Sequence, residues 1–176
     1  MPESNNAEVI RQARMLFKSY SRMKMEIQQM TESIECLMKT IEQNVNRDIY
    51  NASVSHGNDN EIGTLQNTSS GKTPQIAENI DKMRSRYYSE ISQMKYRINL
   101  FQRATNSIQI YVDYLDWTGK TILTRRYLDE DKKSFEEISR EVHLSADTVK
   151  KRERKLIEDY IKTLHFDIAA VVEMLG

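Results

Sequence analysis

The sequence predicts an all-α protein in which a long antiparallel helical hairpin precedes a unit of short helices. The chain of 176 residues contains only 5 glycines and 2 prolines, the residues that interrupt helices most often. Charged residues make up 30% and aromatic residues 8%, which suits solvated helices and leaves little material for a sheet. Two long stretches also repeat their apolar residues every three to four positions, which is the helical period.

The first segment, residues 1–49, is predicted to be one long helix. From Asn5 to Arg47 the apolar residues alternate at spacings of three and four, which is a heptad seam suited to packing against another helix. Cys36 lies off this seam and is expected to face solvent. The first seam consists of Ala13, Leu16, Tyr20, Met23, Ile27, Met30, Ile34, Leu37 and Ile41.

A polar linker is predicted over residues 50–73. Asn, Ser, Gly and Thr predominate there, and the apolar residues show no period. Such a segment buries too little apolar surface to offset its ordering entropy, so we expect it to be disordered.

A second long helix is predicted over residues 74–116, with Pro74 in its first turn and Thr73 as its N-cap. Two seams of similar length joined by a flexible linker favour an antiparallel hairpin that buries one seam against the other. The same seams would also suit pairing between two chains, and the sequence leaves both arrangements open. The second seam consists of Tyr87, Ile91, Met94, Ile98, Phe101, Thr105, Ile108, Val112 and Leu115.

Residues 117–164 are predicted to form a helix-turn-helix unit, because Thr118-Gly119 interrupts the seam and turn residues become frequent. Its first helix is amphipathic, with Ile122 and Leu123 on the apolar face. The connection after it is mostly polar.

The second helix of this unit starts at Ser134. With Glu137 three residues later, Ser134 forms a capping box, in which each side chain accepts a hydrogen bond from the other residue's backbone N–H. Ser139 supplies the small side chain needed where the next helix crosses. His143 and Leu144 then make the turn, with Leu144 expected to point inward.

The third helix follows Ser145, a good N-cap, and carries the strongest functional signal. Five of the six residues from Lys150 to Lys155 are basic. Val149 and Leu156 are expected to anchor the helix, which turns the basic side chains outward. In a helix-turn-helix, the N-terminal part of the second helix enters the major groove of DNA.

We therefore expect Lys150, Lys151 and Arg154 to meet phosphates or guanine edges, and Asp147 to accept from cytosine N4. Phosphate contacts are also expected at the start of the preceding helix. The candidate DNA-contacting residues are Lys133, Ser134, Ser145, Ala146, Asp147, Lys150, Lys151 and Arg154.

Residues from Ile122 to Ile161 resemble sigma-factor region four. The likeness rests on a helix ending in Arg126-Tyr127, then Ser134-Phe135-Glu136-Glu137-Ile138-Ser139, then Leu144-Ser145 before a basic helix. It covers less than a third of the chain. It implies that Asp147, Lys150 and Lys151 lie at base-contacting positions. Ala146 departs from the pattern, because sigma factors often carry a longer polar residue there.

The layout of long helices before this unit is similar to phage late-transcription activators of the RinA and ArpU type. That resemblance implies a sequence-specific transcription regulator that binds double-stranded DNA, activates a late phage operon and contacts host RNA polymerase. A small terminase subunit, which recognises DNA for packaging, is the alternative. A complete sigma factor is a weaker one, because melting a promoter needs a further domain with exposed aromatic residues.

The residue inventory gives no sign of an enzyme, a cofactor or a metal site. His56, His143 and His165 lie in separate segments, and the one cysteine excludes an internal disulfide. Without an apolar stretch near 18 residues or a leader, we expect a cytoplasmic protein of a bacterial host with no membrane partner.

Residues 165–176 are predicted to be an apolar helical tail. Ile157, Ile161, Leu164, Ile168, Val171 and Leu175 continue a spacing of four and three beyond the basic helix. We slightly favour a tail that covers the chain's own core. The alternative is a homodimer contact, which the long heptad helices would also suit.

Overall fold

The computed structural model describes residues 3–54 and 72–175, and every regular element within those ranges is helical. The all-α prediction is confirmed. Residues 55–71, most of the expected linker, lie outside the described residues. The elements are α1 (Glu3–Lys18), α2 (Tyr20–Val54), α3 (Lys72–Asp113), α4 (Trp117–Leu123), a π-helical turn (Thr124–Leu128), α5 (Phe135–Glu141), α6 (Ala146–Lys162) and α7 (Ile168–Leu175).

The chain divides into two compact units, and α2 and α3 contribute to both. The first unit is Met1–Gln28 with Arg97–Gly176, and the second is Gln29–Tyr96. In the second unit Ile34, Ile41 and Ile91 are buried, and Cys36 is exposed as expected.

Every residue of the two predicted heptad seams is buried or half-buried, although the first seam passes from α1 into α2 and Leu115 lies beyond the end of α3. In the first unit, the Tyr20 hydroxyl donates to Gln109 Oε1 at 2.9 Å. Arg97 Nη2 donates to Glu26 Oε2 at 2.8 Å. Tyr20 precedes Glu26 in α2, whereas its partner Gln109 follows Arg97 in α3. Within this unit the two helices therefore run in opposite directions.

The expected interruption at Thr118-Gly119 is wrong, because both residues lie inside α4. The break comes earlier, after Asp113, and Asp116 begins the new helix as its N-cap: its Oδ1 accepts from Gly119 N at 3.1 Å. A Cβ on Gly119 would lie 2.8 Å from that oxygen and 3.4 Å from Leu156 Cδ2. The glycine therefore leaves room for the Asp116 cap oxygen in the first turn of α4 and does not end a helix.

The apolar tail also differs from the prediction in one respect. Its spacing of four and three does not follow one helix, because α6 ends at Lys162 and α7 begins at Ile168. Val171 and Leu175 are buried, and α7 packs against α1. Arg22 Nη1 donates to the Leu175 carbonyl at 3.0 Å, which satisfies an orphan group at the end of α7. The tail thus covers the core of its own unit.

An aromatic cluster forms the centre of the first unit. Phe17 from α1 meets the Tyr160 ring of α6 at a centroid distance of 4.9 Å and the Tyr127 ring at 5.6 Å. Tyr111 from α3 lies 5.2 Å from Tyr160. Burial raises the pKa of Tyr160 to about 12. α1 is therefore part of the core that supports the basic helix.

We expect stability to fall as the pH rises above about 10, the ordinary pKa of an unfolded tyrosine. Because the folded pKa of Tyr160 is raised, its stabilising contribution is complete below that pH and is lost towards pH 12. The loss should reach about 1 kcal/mol by roughly pH 11 for this residue. Urea unfolding over this range should show a shallower decline in Tyr160→Phe. The exposed Tyr114→Phe is the control, and an equal flattening there would contradict the assignment.

Candidate nucleic-acid interface

Helices α4, α5 and α6 pack around one small apolar core. Ile122 from α4, Ile138 and Val142 around α5, and Val149 from α6 are all buried together. Leu144 packs against this core from the turn, as predicted. The hydrophobic pattern therefore fixes which side of each short helix faces inward.

Of the three predicted N-caps, Ser134 and Ser145 are present, whereas Thr73 lies inside α3 and does not cap it. Ser134 Oγ accepts from Glu137 N at 3.2 Å, and Glu137 Oε2 accepts from Ser134 N at 2.7 Å, which completes the capping box. The backbone N–H of Ser134 holds the pKa of the Glu137 carboxyl below its usual value. Ser145 Oγ accepts from Thr148 N at 3.2 Å at the start of α6. These bonds fix the first turns of both helices.

In the turn between α5 and α6, one residue adopts the left-handed backbone conformation and ends α5. His143 has a φ of 54°, and Leu144 N donates to the Ser139 carbonyl at 3.1 Å. That bond joins the residue two beyond the C-cap to the last turn of α5, as in a Schellman motif. The position favours glycine, and histidine occupies it here at a conformational cost.

The cations of α6 face outward. Lys150 and Lys151 are exposed, and the Arg154 side chain is 68% exposed, whereas Val149 and Leu156 are buried. The basic side chains of α6 thus point away from the core, as predicted, whereas their contact with DNA stays a prediction.

The three outward cations differ in how they are already engaged. Arg154 Nε pairs with Glu158 Oε1 at 2.9 Å. Lys150 Nζ lies 3.9 Å from Asp147 Oδ1 and 5.8 Å from the centre of the Phe135 ring. Among the described residues, Lys151 makes no ion pair. Lys151 is therefore the cation that can meet an anionic ligand without giving up a partner.

The lysines before α5 are less free than the sequence suggested. Lys133 Nζ lies 3.0 Å from Glu141 Oε2, and Arg125 Nε binds the other oxygen of Glu141 at 2.9 Å. Lys133 and Arg125 together hold the pKa of Glu141 below its usual value. Lys132 Nζ donates to the carbonyl of Lys18 at the end of α1. Lys133 would have to leave Glu141 to bind a phosphate.

The remaining candidates lie at the two helix starts. Ser134 uses its oxygen in the capping box but keeps its hydroxyl proton as a donor. Ser145 is exposed, Ala146 is half-buried, and the Asp147 side chain is 87% exposed in the first turn of α6. The candidate residues of α6 therefore share one exposed face, whereas Lys133 and Ser134 precede α5 and are half-buried.

Sequence reasoning missed Glu153. It appeared as an interruption of the basic run, but it is only 2% exposed. Arg14 binds it with two hydrogen bonds, Nε to Oε1 at 3.1 Å and Nη2 to Oε2 at 3.0 Å. The Tyr127 hydroxyl donates to the same carboxylate. We call Arg14, Tyr127 and Glu153 the buried triad.

Burial, followed by the hydrogen bond to Glu153, raises the pKa of Tyr127 well above its ordinary value, so this phenol remains a neutral donor. The sequence did contain a signal that Glu153 would be buried. Glu153 lies at the helical spacing of Val149, Leu156 and Tyr160, which form the buried face of α6. A charged residue on such a face needs a partner, and the sequence did not reveal which one.

A second contact fixes α6 from another side. Arg152 Nη2 lies 2.5 Å from Asp116 Oδ2, and Asp116 is also the N-cap of α4. Within residues 3–54 and 72–175, no group of three or more His, Cys, Asp and Glu side chains could hold a metal ion. The helices in those ranges include none with the length and apolarity to cross a membrane.

Comparison with known proteins found no matching family model, no matching curated protein and no matching solved structure. The likeness to sigma-factor region four and to the RinA and ArpU activators therefore stays a prediction from the residues.

Replacing Arg14 alone should destabilise the protein more than replacing Arg14 and Glu153 together, because the single change leaves the Glu153 carboxylate buried without its cation. We expect Arg14→Ala to lower the unfolding free energy by about 2 kcal/mol, below the range for fully buried pairs because Arg14 is partly exposed. Arg14→Met with Glu153→Met should recover most of this loss. Chemical denaturation measures both. Arg11→Ala, in an exposed pair with Glu8, is the control and should change stability by less than about 0.5 kcal/mol.

Replacing the residue with positive φ in the turn after α5 should instead stabilise the protein. His143→Gly should raise the unfolding free energy by about 0.5–1 kcal/mol, because glycine adopts a positive φ without steric cost. His165→Gly makes the same chemical change outside the helices, where φ is not positive, and should be neutral or slightly destabilising. Thermal or urea unfolding compares them. A destabilised His143→Gly would show that the histidine side chain outweighs the backbone cost.

Proposed function

We propose that this protein is a sequence-specific DNA-binding transcription regulator that reads the major groove with α6. Within that class, we propose a phage late-gene transcription activator. The observation that carries the proposal is the outward presentation of Lys150, Lys151 and Arg154 near the start of a capped helix that follows a tight turn. In a helix-turn-helix this part of the second helix meets base edges.

The chemistry of the exposed face suits a duplex. Lys150 and Lys151 can donate to guanine O6 and N7 or to phosphates, and Asp147 can accept from cytosine N4. Arg154 would exchange Glu158 for a phosphate. Since an exposed ion pair contributes about 0–1 kcal/mol, that exchange costs little. Lys151 needs no exchange at all.

The burial of Glu153 favours an anionic ligand on this face. Its carboxylate is withdrawn from the surface and is paired with Arg14, so it opposes a phosphate much less than an exposed acid would. The exposed residues from Lys150 to Lys155 are therefore all basic, although the chain as a whole has a formal net charge of zero. Affinity for DNA would come from this face and not from bulk charge.

The edges of the interface would position the protein on the backbone. The hydroxyls of Ser134 and Ser145 can donate to phosphates at the starts of α5 and α6, and Lys133 can join them if it leaves Glu141. Such contacts set the register and carry no sequence information themselves. Specificity would then depend on Asp147, Lys150 and Lys151.

The assignment to late phage genes rests on the resemblance to RinA and ArpU activators, in which long helices precede a sigma-like unit. It brings with it host RNA polymerase as a partner and the bacterial cytoplasm as the location. The polar groups of this interface serve as helix caps, form ion pairs or point outward as hydrogen-bond donors. These roles suit the binding of a ligand.

Fluorescence anisotropy with DNA from upstream of the gene's own operon tests the proposal. Lys150→Ala and Lys151→Ala should each weaken specific binding by about 1–3 kcal/mol, roughly fivefold to a hundredfold, if the residue reads a base. Lys162→Ala is the matched control, because it removes an exposed cation about 18 Å along the same helix. It should leave affinity unchanged.

Two outcomes would contradict DNA reading by α6. The first is equal affinity for the operon DNA and a scrambled duplex at several salt concentrations. The two duplexes share only the non-specific, electrostatic part of binding, so equal affinity would mean that no bases are read. The second is normal binding by both lysine variants while circular dichroism shows them folded. Oligomeric rings seen by light scattering would instead favour the small terminase subunit.

A further inference from the structure

A basic groove lies along one flank of α6, next to the start of α4. Arg152 places it there, because Arg152 Nη2 is 2.5 Å from Oδ2 of Asp116, the N-cap of α4. The groove has a volume of about 450 Å³. We call it the flank groove. Its lining residues all belong to α6 and are Thr148, Lys151, Arg152, Lys155, Leu156 and Asp159.

Two lysines of the flank groove carry charge that nothing in the described part of the chain neutralises. Lys151 and Lys155 are exposed, lie one helical turn apart and form no ion pair with a described residue. Arg152 already has a carboxylate partner. Asp159, the acid among the lining residues, is paired with Lys162 Nζ at 2.7 Å. The groove can therefore accept anions at two positions about 6 Å apart along the helix without breaking an ion pair.

A hydroxyl donor lies at the beginning of the flank groove. Thr148 Oγ1 is 2.8 Å from Ser145 Oγ, and both side chains are on exposed residues. Only one of the two hydroxyls donates in that bond, so the other keeps its proton for a further acceptor. Lysine ammonium groups and hydroxyls are both common donors to the phosphate oxygens of DNA. The donor set of the groove is thus suited to a phosphodiester chain.

The flank groove and α5 lie on opposite flanks of α6. Lys150 and Arg152 are two residues apart, so their side chains are turned by about 200° around the helix. Lys150 Nζ lies 5.8 Å from the centre of the Phe135 ring of α5, whereas Arg152 reaches Asp116 before α4. A helix about 10–12 Å across fills a major groove about 12 Å wide, so one DNA strand runs along each flank. The strand away from α5 would meet the flank groove.

We propose that the flank groove binds backbone phosphates of the duplex, on the flank of α6 away from α5, and that Lys155 makes this contact without reading a base. The proposal rests on the proposed function, because it requires α6 to enter the major groove. Lys151 lines the flank groove and also belongs to the exposed face that carries Lys150. It therefore stands between base reading and backbone binding, whereas Lys155 serves the backbone alone.

Anisotropy titrations of the full chain with the operon duplex and a scrambled duplex, at about 50–200 mM salt, test the proposal. Lys155→Ala should weaken binding to both duplexes by the same factor, about fivefold near physiological salt. It should also reduce the slope of log affinity against log salt by about 1, because one fewer phosphate is neutralised. Lys155→Arg keeps the charge and should keep the slope. Lys39→Ala removes an exposed lysine of α2 and should change neither quantity.

Two results would overturn the phosphate contact. One is a Lys155→Ala chain with the affinity and salt slope of the wild type, because the groove would then face away from the duplex. The other is a loss confined to the operon duplex, because Lys155 would then read a base. Failure of the proposed function looks different: the wild-type chain would bind both duplexes equally. An equal loss on both duplexes in Lys155→Ala would still support the phosphate contact in that case.

Discussion

The carboxylate of Glu153 controls the arrangement of the first unit. Taking an ion out of water costs several kcal/mol, and only good geometry with satisfied lone pairs compensates for it. Here two hydrogen bonds from Arg14 and one from Tyr127 supply that compensation. The three residues come from α6, α1 and the π-helical turn, so none of these elements can move away without breaking a hydrogen bond to a buried carboxylate.

This constraint fixes the rotation of α6 about its axis. Val149, Leu156 and Tyr160 would keep most of their burial if the helix turned slightly, since apolar contact has little directional preference. The bidentate bond from Arg14 is directional and would not survive the same change. The outward positions of Lys150 and Lys151 therefore depend on a helix near the beginning of the chain. A basic helix supported in this way meets a rigid ligand with less loss of conformational entropy on binding.

The sequence predicted the features that depend on neighbours along the chain, and it missed those that depend on distant ones. Heptad seams, the capping box of Ser134 and the cap at Ser145 follow from residues within a few positions of each other. The partner of Glu153 lies 139 residues away, so no local pattern reveals it. Gly119 was misread for another reason: a Cβ there would lie 2.8 Å from the cap oxygen of Asp116, and a glycine required in the first turn of a helix resembles a helix stop when only the sequence is seen.

Net charge and local charge lead to different expectations for this protein. A chain with a formal net charge of zero has little long-range attraction for a polyanion, and the Debye length at physiological salt is about 8 Å. Under the proposed function, the cations of α6 would act only once the helix is near the duplex, so steering would contribute little to association with DNA. Discrimination among sequences would rest on short-range donors such as Lys151. Because those donors project from a helix held by the buried triad, the spacing of their backbone positions would not have to change on binding DNA. Recognition would thus depend on contact geometry more than on attraction.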